Sequence, residues 1–155
     1  MMRVYLVQHG KAAATEEDPE RGLTPGGRNE TERAARFLAD RGIPVREIWH
    51  SGKKRSRQTA EILAPVLKGG PEVLEKSGLA PNDNPEKTIR LLEKTEHSVL
   101  IAGHLPFLNR LAGILLTGSP GGGCIAFRNS GIVCLEREAD GPRWLLAWAV
   151  FPDIL

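Results

Sequence analysis

Three short apolar runs, each closed by histidine, glycine or both, constrain this chain more than any other feature. Val4-Tyr5-Leu6-Val7 stops at Gln8-His9-Gly10-Lys11, Val45 to His50 leads into Ser51-Gly52, and Ser98 to Ala102 stops at Gly103-His104. Apolar runs of about four to eight residues, rich in β-branched and aromatic side chains, have the length of strands buried on both faces. Stretches of helical period lie between them, and that alternation specifies an α/β layered fold with a mostly parallel sheet. Ligands of such sheets bind beyond the carboxyl ends of the strands, so three neighbouring strands would deliver their polar endings to one crevice. Taken alone, His9 reads equally well as a strand-end histidine bonded to a nearby carbonyl.

The intervening sequence fits this plan. Ala12 to Arg21 is small, acidic and aperiodic, a surface loop. Thr24 reads as an N-cap with Pro25 at the first helical position. Asn29 to Asp40 then places Ala34, Ala35, Leu38 and Ala39 on one face, and Gly42 stops it. A second helix over Arg55 to Leu67 begins inside the basic cluster Lys53-Lys54-Arg55-Ser56-Arg57 and carries Ala60, Leu63, Ala64 and Leu67 inward. Gly69-Gly70-Pro71 breaks the chain. Glu72 to Leu74 reads as a brief edge strand, Leu79 to Pro85 as a turn-rich loop, and Glu86 to Lys94 as an amphipathic helix. Pro106 opens a helix through Leu108, Leu111, Leu115 and Leu116. Gly121-Gly122-Gly123 lacks the strand-to-helix context of a phosphate-binding loop and reads as linking sequence. The last third predicts strands at Cys124 to Phe127, Gly131 to Arg137 and Trp144 to Val150. The Asp140-Gly141 turn makes the final two an antiparallel hairpin edge, and Trp144 and Trp148 read as packing residues. No domain boundary is visible, so residues 1–155 form a single domain of ordinary core size.

Composition removes several classes of function. A net charge of +2 on 155 residues argues against a nucleic-acid or acidic-membrane partner. Hydrophobic content of 41% and charged content of 26% argue against disorder. No stretch reaches the roughly 18 apolar residues of a membrane helix, and no leader pattern opens the sequence. Cys124 and Cys134 form no metal-ligand spacing and no disulfide framework, so a reducing, cytoplasmic setting is expected.

Two histidines and an arginine at one crevice suit phosphoryl transfer. A neutral imidazole can attack phosphorus and carry the group covalently, while a second imidazole and an arginine fork neutralise the equatorial oxygens. The helix beginning near Leu105 would add backbone N–H groups. The scheme calls for no metal and no cofactor.

These residues resemble the histidine phosphatase superfamily, and within it the small SixA-type phosphohistidine phosphatases. Gln8-His9-Gly10 stands where the family has Arg-His-Gly, and Leu23-Thr24 precedes a glycine-containing helix start. Ser51 to Ala60 (SGKKRSRQTA) is similar to the family's SPxxRAxQTA, and Gly103-His104-Leu105-Pro106 to its second-histidine segment. The resemblance covers nearly the whole chain. It implies a three-layer α/β/α sandwich of the phosphoglycerate mutase-like kind. It also implies His9 as the phosphate-accepting nucleophile, with Arg55 and His104 as phosphate clamps. His104 doubles as a proton donor, and the Leu105 N–H adds a contact.

The sequence departs from that pattern twice. Gln8 replaces an arginine, and exchanging a charge-assisted bond for a neutral one costs about 1–2 kcal/mol, roughly tenfold or more in rate. Lys11 is a candidate to restore the charge. Larger family members also use a carboxylic acid after the third motif; here Asp83 is the candidate general acid, with Glu75 less well placed, and turn formation is the commoner role for such an aspartate. A weak acid favours substrates with a good leaving group, which phosphohistidine has. The expected partner is therefore a phosphohistidine protein or a small phosphate ester. The competing reading is a non-catalytic phosphate-binding or phosphoprotein-recognition module. His50 and His97 are read as ordinary surface or strand-end histidines.

Overall fold

The structure is a computed structural model that describes residues 2–121 and 123–155; Gly122 of the predicted linking run, like Met1, lies outside the described residues. The elements in chain order are β1 (Arg3–Gln8), α1 (Pro25–Asp40), β2 (Glu47–His50), α2 (Lys54–Leu63) and β3 (Glu72–Glu75), then α3 (Glu86–Glu93), β4 (Val99–Gly103), α4 (Phe107–Thr117), β5 (Ile132–Arg137) and β6 (Trp144–Val150). They build one six-stranded sheet in the order β3-β2-β4-β1-β5-β6. The β3-β2, β2-β4 and β4-β1 pairings are parallel, and β5 and β6 close the sheet with an antiparallel hairpin.

Strand alternation explains the layers. Tyr5 and Val7 of β1, Ile48 of β2, and Leu100 and Ala102 of β4 point to one face, where Ala34, Ala35 and Leu38 of α1 and Ala60 and Leu63 of α2 cover them. Val4, Leu6, Trp49, Val99 and Ile101 point to the other, against Leu92 of α3 and Phe107, Leu108 and Leu111 of α4. Helices on both faces of one sheet make the three-layer α/β/α sandwich. Because β1, β2 and β4 are covered on both sides, they read in sequence as continuous apolar runs.

The α1 start follows the predicted chemistry: Thr24 Oγ1 accepts the Gly27 N–H at 2.9 Å, and Pro25 occupies the first turn. The α2 helix is shorter than its periodicity predicts. It ends at Leu63 and continues as a 3-10 turn over Ala64–Val66, because Pro65 has no N–H to extend the α-helical ladder. The strand predicted over Cys124 to Phe127 is not formed. Both edges of β1 and of β5 are already occupied, and the segment pairs with neither of the free outer edges, those of β3 and β6. It still packs Ile125 and Phe127 against the α3/α4 core, which accounts for its alternating pattern. Trp144 is buried in that same core, whereas Trp148 leans on Tyr5 at 6.0 Å and Phe37 at 5.9 Å between ring centroids.

Candidate active site

Register brings the two histidines together. In the parallel β1-β4 pair, Val7 faces Ala102 and Gln8 faces Gly103, so the next residues, His9 and His104, leave the sheet side by side. The His9 N–H donates to Gly103 O at 2.9 Å, and the two imidazole centroids are 5.1 Å apart, close to the spacing of neighbouring strands. On the other side of β4, Ala102 faces His50, so Ser51 follows alongside. Ser51 Oγ lies 2.7 Å from His104 Nε2. Ser56 Oγ ties the segment down by accepting the Ser51 N–H and donating to Ala102 O at 2.7 Å. The first turn of α2, which carries Arg55, is thereby fixed over the ends of β2 and β4.

His9 donates from Nδ1 to Gly10 O at 2.7 Å. That bond places the ring proton on Nδ1 and leaves the Nε2 lone pair free. The pKa of His9 is lowered mainly by burial, the Gly10 bond opposing and Arg55 and Arg21 adding to the shift. Burial first, then His9, Arg55, Lys53 and Arg21, lower the pKa of His104 to about 3. Both imidazoles are therefore neutral at pH 7. Arg55 too is lowered from its ordinary value by burial and by Arg21, yet a guanidinium stays charged at neutral pH. Each positively charged or potentially charged group here suffers from the others. An anion among them would relieve all of them together.

Buried polar atoms mark the same place. Five side-chain N or O atoms among the described residues are buried without a hydrogen-bond partner, and three belong to Gln8 (Oε1), Arg55 (Nε) and His104 (Nδ1). Such atoms cost about 1–3 kcal/mol each when left unpaired, and the Arg55 and His104 nitrogens, neighbours in the crevice, point to a ligand-binding role.

Known proteins share this fold. The family model for the histidine phosphatase superfamily (branch 1) matches residues 4–80. An uncharacterised protein of Picosynechococcus sp. is 32% identical over 94% of this chain and 99% of its own length. The protein histidine phosphatase SixA, solved with tungstate, superposes with a TM-score of 0.84 at 24% identity over 99% of both chains. A protein assigned as the phosphohistidine phosphatase SixA of Agrobacterium tumefaciens gives 0.74 at 28% identity over 96% of this chain and 97% of its own. The chain belongs to the histidine phosphatase superfamily. Its architecture is that of the SixA-type phosphatases.

For a member of this superfamily the remaining predicted residues are placed unevenly. Leu105 is exposed at the mouth of the crevice, just before α4. Gln8 ends β1 and also lines a cleft of ≈ 400 Å³ with Glu30, Phe127, Arg128, Asn129, Pro152 and Asp153. Asp83 is held in its own turn: its Oδ2 accepts the Ala80 N–H at 2.9 Å, and its N–H donates to Ala80 O. Glu75 lies against Gly52, close enough that a Cβ there would sit 2.5 Å from Oε1. His50 is buried at the end of β2, where Nδ1 accepts the Gly52 N–H at 3.1 Å. Lys11 is exposed and contributes through its backbone, its carbonyl accepting the Thr24 N–H. No group of three or more His, Cys, Asp or Glu able to hold a metal ion occurs among the described residues. No helix among them is long and apolar enough to cross a membrane.

Arg21 is the functional candidate that sequence reasoning passed over. It adopts a left-handed backbone (φ 52°), unusual for a non-glycine residue. Asp18 builds the loop, its carboxylate accepting the Glu20 and Gly22 N–H groups while Lys54 Nζ lies 3.3 Å away. Gly22 then packs on Lys54 and Gln58, the α2 residues that flank Arg55, and the Leu23 N–H bonds Gln58 Oε1 at 2.8 Å. Arg21 Nε is taken up by Ala13 O, and its charge acts on His9, Arg55 and His104. The readable signals were an Asp-x-x-x-Gly turn and its position just before Leu23-Thr24.

Proposed function

We propose that this protein is a metal-independent phosphatase that hydrolyses phosphohistidine, or a related phosphoester or phosphoramidate, through a covalent phosphohistidine on His9. The observation that carries this reading is the His9 ring itself. Its Nδ1 is committed to Gly10 O, so Nε2 offers a lone pair in a crevice whose unpartnered donors belong to Arg55 and His104. Tungstate, the ion held by the SixA protein that shares this fold, is a tetrahedral oxyanion of the phosphate type.

The steps balance without a metal. A bound phosphoryl dianion raises the pKa of His104, which takes up a proton and donates from Nε2 to Ser51 and from Nδ1 to the anion. His9 Nε2 attacks phosphorus as the bond to the leaving nitrogen breaks, and the His104 proton passes to that nitrogen. Water then attacks the phosphorus on His9, giving its proton to His104, and inorganic phosphate leaves with His9 neutral again. Arg55 and Arg21 hold the equatorial oxygens throughout. A leaving imidazole asks little of an acid, which suits a site whose Asp83 is held in a turn.

Gln8 supports a second reading, a phosphate-binding or phosphoprotein-recognition module with little turnover, because it carries no charge where the superfamily has arginine. Incubation with acetyl phosphate or phosphohistidine separates the two. An acid-labile, base-stable adduct on His9 that forms and decays supports the enzyme. Phosphate binding with no adduct supports the module.

A further inference from the structure

The nucleophile in this chain is preceded and followed by peptides that are held with unusual completeness. The His9–Gly10 peptide is gripped at both ends: Asn129 Nδ2 donates to His9 O at 2.9 Å, and the Gly10 N–H donates to Thr59 Oγ1 at 2.9 Å. Thr59 Oγ1 in turn donates to Arg55 O at 2.8 Å, which ties the grip to the first turn of α2. The Lys11–Ala12 peptide is held too. Lys11 O accepts the Thr24 N–H at 2.9 Å, and Gly27 lies so close that a Cβ there would stand 2.2 Å from that oxygen.

Between the two held peptides sits Gly10. Position 10 must be glycine, since a Cβ would come 2.6 Å from Thr31 Oγ1. A glycine is the residue least able to fix its own φ and ψ. The direction of its carbonyl is the very feature that decides which nitrogen of His9 keeps the proton. Asn129 adds a connection from the far side of β1. The Ser130 N–H bonds Gln8 O at 2.8 Å, and Ser130 Oγ lies 2.8 Å from the buried Thr31 hydroxyl, so the Asn129 segment is itself immobilised against β1 and α1.

We infer that Asn129 and Thr59 are positioning residues: gripping the His9–Gly10 peptide from opposite sides, they aim the Gly10 carbonyl at His9 Nδ1 and so reserve Nε2 for phosphorus. This rests on the phosphatase reading only for its consequence; the tautomer is a property of the resting protein. Asn129→Asp keeps the shape and removes the donor. Thr59→Val keeps the shape and removes the acceptor, and Thr59→Ser restores it.

The test is ¹⁵N NMR of His9 in the full-length protein at pH 7, followed by ³¹P NMR of the adduct formed with acetyl phosphate. The wild type and Thr59→Ser should show a single tautomer protonated on Nδ1 and phosphorylation on Nε2. Asn129→Asp and Thr59→Val should show mixed tautomers and a portion of the adduct on Nδ1. The rate of adduct formation should fall about three- to tenfold, the size of one lost hydrogen bond, with the KM for acetyl phosphate little changed. Unaltered tautomer in both variants would overturn the inference, as would adduct loss only in proportion to unfolded protein. A wild type that shows the Nδ1 tautomer but never forms an adduct would refute the phosphatase reading while leaving the clamp to be judged by the tautomers of the variants.

Discussion

The two ends of the parallel part of the sheet hold similar side chains and put them to different use. At the amino ends, Pro44, Arg46, Glu47, Lys68, Glu72 and His97 help line a cleft of ≈ 800 Å³. His97 Nε2 lies 3.3 Å from Glu47 Oε2 there, within ion-pair range although without hydrogen-bond geometry, and Glu47 also accepts from Trp49 Nε1 at 2.8 Å. At the carboxyl ends His104 is only 1% exposed, and the groups that act on it electrostatically are His9, Arg55, Lys53 and Arg21, with no carboxylate among them. An imidazole beside a carboxylate is a structural pair. An imidazole buried among cations stays neutral and keeps a lone pair. On the proposed reading the chemistry follows the charge pattern and the helix starts of α2 and α4, not the volume of the amino-end cleft.

Substitutions can break that contrast. His9→Ala should abolish the adduct and lower turnover at least about a thousandfold, since on the proposed reading the other unpartnered imidazole nitrogen, His104 Nδ1, carries the proton that binds the anion; His97→Ala at the opposite end should change the same assay less than about twofold. Turnover surviving in His9→Ala would end the argument. Arg55→Ala should cost about a hundredfold in kcat/KM, and Arg55→Lys should recover little of it, because a point charge cannot replace the planar fork. Smaller effects sharpen the picture at Gln8: Gln8→Arg should speed adduct formation about tenfold, and Arg21→Ala should slow it about tenfold. If Gln8→Arg leaves the rate unmoved, charge at that position is not limiting.

The most modest effect is on stability. His104 has a folded pKa below its unfolded value, so the unfolded chain binds more protons between pH 6.5 and about 3. Its contribution is complete above pH 6.5 and declines as the pH falls through that window. In His104→Gln the stability lost between pH 6.5 and 4, measured by urea unfolding, should be smaller than in the wild type. Phosphate should bind with net proton uptake, visible in titrations across buffers of different ionisation enthalpy.

What could be read from the sequence was what a local pattern determines. β1, β2 and β4 are apolar because both faces are covered, so their ends, and with them His9, Ser51 and His104, stand out in a single chain. Arg55 was legible through the basic cluster that opens α2. Thr59 and Asn129 were not, because each makes its contact far away in sequence, Thr59 with the Gly10 N–H 49 residues earlier and Asn129 with a carbonyl 120 residues earlier, and Arg21 is announced only by the local turn on Asp18. The strand expected over Cys124 to Phe127 failed for the converse reason. Alternation reports which side chains are buried, and Ile125 and Phe127 are packed against the core, but a strand also needs a neighbour with free backbone groups.

β1 is an interior strand, paired on one side with β4 and on the other with β5. A ribosome makes His9 well before the strands that flank it, which come from residues 99–103 and 132–137. A nascent chain that has emerged only to the end of α3 holds His9 without His104, without the Gly103 carbonyl that accepts its N–H, and without Asn129. The His9 ring is thus synthesised before the groups that fix it, and on the proposed reading an unfinished chain cannot hold phosphate in the geometry of the finished one.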